Sequence, residues 1–194
     1  MTYNLDHENE LLISTVKAFM EKEIFPHEDF VDKSGVVPDD LGRQIEKKAK
    51  EAGLYSANMP ENIGGGGLSK KAISLIEREY GKTSHALHSW IGRPTEILLA
   101  CVGDQISNYL QPCVTGEKRE LFALSEPGAG SDVMGMKSNA RRDGADWILN
   151  GSKHFISGPC MPDFARPSVC WSSSHKPHCS ERLIPRSFTS MRRC

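Results

Sequence analysis

Residues 119–135 read Arg119-Glu120-Leu121-Phe122-Ala123-Leu124-Ser125-Glu126-Pro127-Gly128-Ala129-Gly130-Ser131-Asp132-Val133-Met134-Gly135. Before this stretch the apolar residues recur at helical spacing, and from Glu120 onward the period shortens. Leu121-Phe122-Ala123-Leu124 is an apolar run of strand length, followed at once by a Pro- and Gly-rich turn. Downstream, Met136 to Arg142 reads as an exposed strand. Asp143-Gly144 and Asn150-Gly151 are hairpin signals on either side of Trp147-Ile148-Leu149. Lys153-His154-Phe155-Ile156-Ser157 supplies the return strand. The expectation is an antiparallel meander that begins where the helices end.

Upstream, Asp6 is placed to cap a helix whose Leu12, Val16, Phe19 and Met20 share one face, with Pro26 limiting its end. A second helix follows Pro38 with Asp39 as cap. Its buried stripe is Leu41, Ile45, Ala49 and Ala52, and Gly53 stops it. Ser69 caps a third, which carries Ala72, Ile73, Ile76 and Tyr80. Further helical stretches run over Thr95–Cys101 and Asp104–Leu110, the latter followed by Pro112. Short connections between amphipathic helices predict a helical domain over residues 1–118.

In the other direction, the character of the chain changes near residue 165. Residues 166–194 hold six Lys and Arg, one Glu and half of the six cysteines, and three prolines interrupt them. Neither a twofold nor a 3.6-fold period is visible. Such a composition predicts disorder, because little apolar burial offsets the ordering entropy. Cys170, His175, His178 and Cys179 invite a zinc reading, but their C-x4-H-x2-H-C spacing does not match structural zinc sites.

The whole chain of 194 residues has a formal charge of −1, which gives nucleic acid or an acidic membrane no field to exploit. Its longest apolar run, Ile97 to Val102, is far short of the roughly 20 residues that span a bilayer. The first residues are acidic and carry neither a secretory nor a transit pattern, so the expected location is the cytoplasm. Gly64 to Gly67 lack the Gly-Lys-Ser/Thr ending of a phosphate loop and read as a flexible connection. His85 and His88 stand one helical turn apart without a further ligand nearby, which favours ordinary packing over a metal. Gly128-Ala129-Gly130 lacks the third glycine of a dinucleotide fingerprint, since position 133 is Val. The loop does offer backbone N–H groups flanked by the hydroxyls of Ser125 and Ser131, a nest suited to pyrophosphate or an acceptor-rich ring edge.

The stretch Ala123 to Gly135 resembles the signature of the acyl-CoA dehydrogenase family. Gly103-Asp104-Gln105 through Tyr109-Leu110-Gln111-Pro112 and Gly116-Glu117 resemble the segment leading into it. Pro60-Glu61-Asn62-Ile63-Gly64-Gly65 is similar to a family loop between early helices, and Leu149 to Gly158 to a second flavin-contacting strand. The resemblance covers residues 1 to about 165. It implies an α+β multidomain chain, with an amino-terminal all-α domain and then an incomplete antiparallel β-barrel domain over 119–165. The family's carboxy-terminal helical bundle is absent, and 166–194 is an atypical tail. Truncation or a frame shift near residue 165 is the matching expectation.

The resemblance further implies an FAD-dependent oxidoreductase of fatty acid metabolism. Such an enzyme converts an acyl-CoA thioester to the trans-2-enoyl-CoA, with hydride passing to flavin N5. Carried over by position, Phe122, Ala123, Leu124, Ser125, Gly130 and Ser131 line the flavin, and Ser131 also meets the substrate near its CoA arm. Phe155, Ile156 and Ser157 form the second contact, with Phe155 beside the isoalloxazine. Family members often have Thr at the positions of Ser125 and Ser157 and Trp at that of Phe155; the hydroxyl and the flat face are kept. No residue here takes the role of catalytic base, and no metal is implied. Implied partners are acyl-CoA, an electron-transfer flavoprotein or other acceptor, and further copies of the chain as a dimer or tetramer. The competing readings are a non-catalytic remnant, and an acyl-CoA oxidase or flavin monooxygenase on the same scaffold.

Overall fold

A computed structural model describes residues 6–144, 146–156, 164–167, 169–171 and 178–180. The chain divides into two units: residues 1–98 with 114–116, and residues 99–113 with 117–194.

In the helical unit, α1 (His7–Phe19) starts where Asp6 Oδ1 accepts the Asn9 N–H at 2.9 Å, as the sequence predicts. Pro26 does not end the helical path. The helix passes into a π-turn over Met20–Ile24 and a 3-10 turn over Phe25–His27, where the proline sits in the first turn and its missing N–H costs no bond. The chain then continues as α2 (Glu28–Ser34). Helix α3 (Asp39–Glu51) begins at Pro38, with Asp39 inside the helix rather than capping it. Its buried face is Gly42, Ile45 and Ala49. Ala52 is exposed, because the helix ends before it turns inward. At Gly42 only glycine fits, since a Cβ there would stand 2.2 Å from the Trp90 ring. Gly53 takes φ +69°, the left-handed stop expected of it.

Helix α4 (Lys70–Tyr80) is capped by Ser69, whose Oγ accepts the Ala72 N–H at 3.2 Å. It buries Ala72, Ile73, Ile76, Glu79 and Tyr80. One core joins these helices: Val16, Met20, Ile24, Ile45, Ala49, Ile73, Ile76 and Leu87 are all 5% exposed or less. A further short helix, α5 (His85–His88), carries Leu87 into it. The glycine run is not the flexible connection that its composition predicts. Gly65, Gly66 and Gly67 donate their N–H groups to the carbonyls of Pro60, Ser56 and Met59 at 2.8–3.1 Å. Cβ atoms on Gly65 and Gly66 would lie 2.2 Å from the Met59 carbonyl oxygen and 2.9 Å from the Ala57 Cα. Glycine is present so that two backbones can touch.

The second unit opens with a 3-10 turn at Glu96–Ala100 on its border, then a π-turn over Ile106–Leu110 that runs into α6 (Gln111–Thr115). Pro112 therefore lies within a helical segment, in the first turn of α6. Strand β1 (Glu120–Ala123) follows, with Leu121 and Ala123 buried. Strands β2 (Asn139–Asp143) and β3 (Asp146–Asn150) pair as the antiparallel hairpin that Asp143-Gly144 announces. The predicted strand from Met136 starts only at Asn139, a 3-10 turn over Val133–Gly135 having intervened. Residues 151–156 form no strand, so the predicted return strand is corrected over that span, and Ser157 lies outside the described residues.

Strands β4 (Phe164–Pro167), β5 (Val169–Trp171) and β6 (His178–Ser180) complete the described elements. The antiparallel character holds for β2–β3 and β5–β6, whereas β1–β4 and β2–β5 pair in parallel. Disorder predicted for 166–194 is corrected where β4, β5 and β6 fall in that segment. Backbone ladders of three or four residues need no side-chain period, which is why none was visible. The side chains of Cys170, His175, His178 and Cys179 lie outside what is described. No helix among the described residues is long and apolar enough to cross a membrane.

Candidate functional site

Strand β1 turns Leu121 and Ala123 inward and leaves Phe122 half-buried, so Ala123 offers a ligand only its backbone. Leu124 and Ser125 are half-buried. The chain then closes a tight turn. The Glu126 N–H donates to the Ala129 carbonyl at 3.0 Å, and the Ala129 N–H donates back to Glu126 at 3.2 Å. Gly128, Gly130 and Ser131 are exposed at its outer side.

These glycines differ from the buried run. Neither Gly128 nor Gly130 adopts positive φ, and a Cβ on either would meet nothing within 4 Å. Among the described residues, nothing in the packing calls for glycine there. The space a side chain would fill is left open beside a polar turn, which is what close approach of a ligand to backbone N–H groups requires.

Beneath the turn lies a buried polar cluster. The Glu126 carboxylate, 6% exposed, accepts the Lys153 ammonium at 2.7 Å, the Lys137 N–H at 2.7 Å and the Ser138 N–H at 3.1 Å. Burial pushes the Glu126 carboxyl up, but the Lys153 and Ser138 hydrogen bonds outweigh it and hold the group down at about 2. Lys153 also donates to the Leu124 carbonyl at 2.9 Å, and the His154 N–H donates to the Ser125 carbonyl at 3.0 Å. Residues 153–156 are thereby fastened to the turn although they form no strand.

Phe155 stands at the end of this fastening. Its backbone is left-handed, at φ +53°, and its ring is 87% exposed, tilted 41° against His154 at 4.1 Å between centroids. A bulky residue in that conformation costs roughly 1–3 kcal/mol, and the cost displays a flat apolar face to solvent. Ile156 is half-buried beside it in sequence. The structure thus gathers the Ser125 and Phe155 segments as neighbours, leaves Gly130 and Ser131 open, and says nothing of Ser157. Sequence reasoning missed Lys153. Its signal is a lone cation inside the run Lys153-His154-Phe155-Ile156, yet a partner 27 residues away carries no local mark.

The helical unit has a separate open cavity of about 350 Å³. Leu54, Ile73 and Ile76 line its apolar side, and Tyr80, His88 and Arg93 its polar side. Burial, then the neighbouring His85, lowers the His88 imidazole below its ordinary value and favours the neutral ring. None of the residues predicted to meet a cofactor lies there.

The description "Acyl-CoA dehydrogenase, N-terminal domain" matches residues 6–117, and "Acyl-CoA dehydrogenase, middle domain" matches residues 121–187. The second match runs past residue 165, into the segment read as atypical. A 3-(aryl)acrylate reductase of Clostridium sporogenes is 36% identical over 161 residues, covering 80% of this chain and 42% of the relative. The mitochondrial long-chain specific acyl-CoA dehydrogenase of Mus musculus is 34% identical over 163 residues, with 80% and 36% covered. Among solved structures, an acyl-CoA dehydrogenase complexed with FAD from Bacillus anthracis superposes with a TM-score of 0.77 at 25% identity, covering 96% of this chain and 32% of that one. The chain spans less than half the length of these relatives. With a helical unit matched over nearly its whole length and the signature turn lying inside the second match, the chain belongs to the acyl-CoA dehydrogenase family.

Proposed function

We propose that this chain supplies the flavin-facing turn of an FAD-dependent enzyme that oxidises the α,β-carbon bond of an acyl-CoA thioester to the trans-2-enoyl-CoA. The observation that carries the reading is the pair Gly128 and Gly130, where an added Cβ would meet open space among the described residues. When bound, FAD supplies the acceptor, at flavin N5, for the hydride that leaves the β-carbon.

The chain's own residues bind and orient. Phe122, Ala123 and Leu124 would hold the ring through backbone and apolar edges, and the Ser125 hydroxyl would be its hydrogen-bond partner. Gly130 and Ser131 present N–H groups and a hydroxyl, Ser131 also toward the CoA arm of the substrate. Phe155 would give the cofactor its exposed face with Ile156 next to it, and Ser157, the last of the expected contacts, lies outside the described residues. Glu126 is unsuited to remove the α-proton: three donors occupy it, and a carboxyl held at about 2 is too weak a base. The reading includes little or no turnover by the purified 194-residue chain. It also includes an electron-transfer flavoprotein or other acceptor as redox partner, assembly into dimers or tetramers, and a cytoplasmic location.

A second reading runs the same bond in the opposite direction. It is favoured by the similarity to a 3-(aryl)acrylate reductase. Both readings need the same turn and the same Phe155 face.

The test is flavin uptake by the purified chain, followed by anaerobic addition of acyl-CoA or, to the reduced protein, of an arylacrylyl thioester. Stoichiometric yellow flavin that is lost from Gly128→Val and Gly130→Val variants is the expected result. A chain that takes up no FAD overturns the reading. Rapid bleaching by acyl-CoA with enoyl-CoA release would overturn the part concerning turnover.

A further inference from the structure

We infer that the Glu126–Lys153 pair is a positioning latch, which sets the distance between the turn at residues 125–131 and the segment that carries Phe155. The inference rests on the flavin reading above and adds residues that touch no cofactor.

Three pieces of chain meet at one carboxylate. Glu126 belongs to the turn, Lys137 and Ser138 lead into β2, and Lys153 opens the 153–156 segment. All of the bonds run inward, since the two side chains are 6% and 11% exposed. Gly128, Gly130 and Ser131 of the same turn are, by contrast, exposed. Residues 124–138 and 151–156 take part in no strand ladder. In a sheet, a row of backbone bonds would fix the register of such segments. Here the described backbone contribution is the single His154-to-Ser125 bond. The ammonium on Leu124 and Glu126, and the carboxylate on Lys137 and Ser138, supply the rest.

The latch sits one residue from Ser125 and two from Phe155. A shift at the pair moves the hydroxyl and the ring against each other, and a planar ligand bridging them depends on that spacing. An ion pair of this kind also differs from an apolar plug. Its geometry is directional, whereas packing of equal volume is content with several arrangements.

That distinction supplies the test. Glu126→Gln, Lys153→Met, the double variant and Lys153→Arg are compared with the unaltered 194-residue chain. Thermal unfolding, FAD affinity from flavin fluorescence, circular dichroism of the bound flavin, and amide exchange at Lys137, Ser138 and His154 are measured for each. Lys153→Met is expected to weaken FAD binding roughly tenfold or more and to speed exchange at all three amides. In the double variant, thermal stability recovers toward that of the unaltered chain, because no buried charge is left alone. FAD affinity and the flavin signal do not recover with it, and Lys153→Arg restores part of both. Affinity that returns together with stability in the double variant would reduce the pair to a structural filler and overturn the latch. If the unaltered chain binds FAD and every variant binds it equally well, the latch alone fails. If the unaltered chain binds none, the flavin reading fails and the latch falls with it.

Discussion

The helical unit and the β-containing unit are held together by different forces. In the first, apolar side chains from α1, α3, α4 and α5 close over one another, and residues such as Val16, Ile24, Ala49 and Leu87 lose all contact with water. In the second, the most buried side chains among the described residues are small: Ala140, Ala123 and Cys113. The large apolar residues Leu99, Val102, Met134 and Phe155 face outward, at 45–87% exposure. What joins its loops is a carboxylate and an ammonium. A scaffold can thus rest on non-directional burial, while a surface that must meet a planar ligand needs bonds that prescribe angle and distance.

The contrast breaks first at Lys153. Its replacement by Met strands the buried Glu126 carboxylate, and the expected loss is about 3–5 kcal/mol, confined to the β-containing unit. Residue-resolved hydrogen exchange should show Ser138 and His154 deprotected while α1 and α4 stay protected. The reciprocal experiment is Ile45→Ala, at a site 2% exposed in the helical core. A cavity there should cost about 2–5 kcal/mol and melt the helices, leaving exchange at Ser138 unchanged.

Acid sharpens the comparison. Glu126 ionises at about 2 in the fold against an ordinary 4.5, so the bonds it accepts add stability that is fully present above about pH 4.5. That stability, about 3 kcal/mol, is lost as pH falls from there toward 2. Glu23 of the helical unit, held down by its Lys48 hydrogen bond, softens that unit in the same direction. Stability measured against pH in the unaltered chain and in Glu126→Gln isolates the first contribution: the steep decline should flatten in the variant.

The smallest effect is expected at Phe155. Glycine relieves the left-handed backbone and should raise the melting temperature of the cofactor-free chain slightly, by about 1 kcal/mol in stability. The same change should weaken FAD binding. An unchanged or tighter affinity would show that the ring serves no ligand.

Much of this was legible in the residues. The caps at Asp6 and Ser69, the stop at Gly53 and the hairpin at Asp143-Gly144 announce themselves because each depends on a few neighbouring atoms. The turn from Ser125 to Ser131 was legible for the same reason, together with the family pattern that it carries. What was hidden depends on distant partners. The glycine run looks loose until Ser56–Pro60 is laid against it. Residues 153–156 follow the hairpin signal at Asn150-Gly151 and so read as a return strand, yet their anchoring comes from a side-chain pair and one backbone bond. Pro112 looks like a terminator until the preceding π-turn is seen to feed the helix in which it takes an early position. The short strands β5 and β6 show no period because three residues are too few to display one.

The glycine run has a consequence for anyone who would cut or lengthen the chain. Composition marks residues 64–67 as the natural place for a protease nick, an epitope tag or a fused domain. Yet their amides are already spent on the neighbouring backbone, and the gap between the two is narrower than a methyl group. The stretch behaves as a splice rather than a hinge. Added atoms would have to prise apart the foundation on which α4 begins.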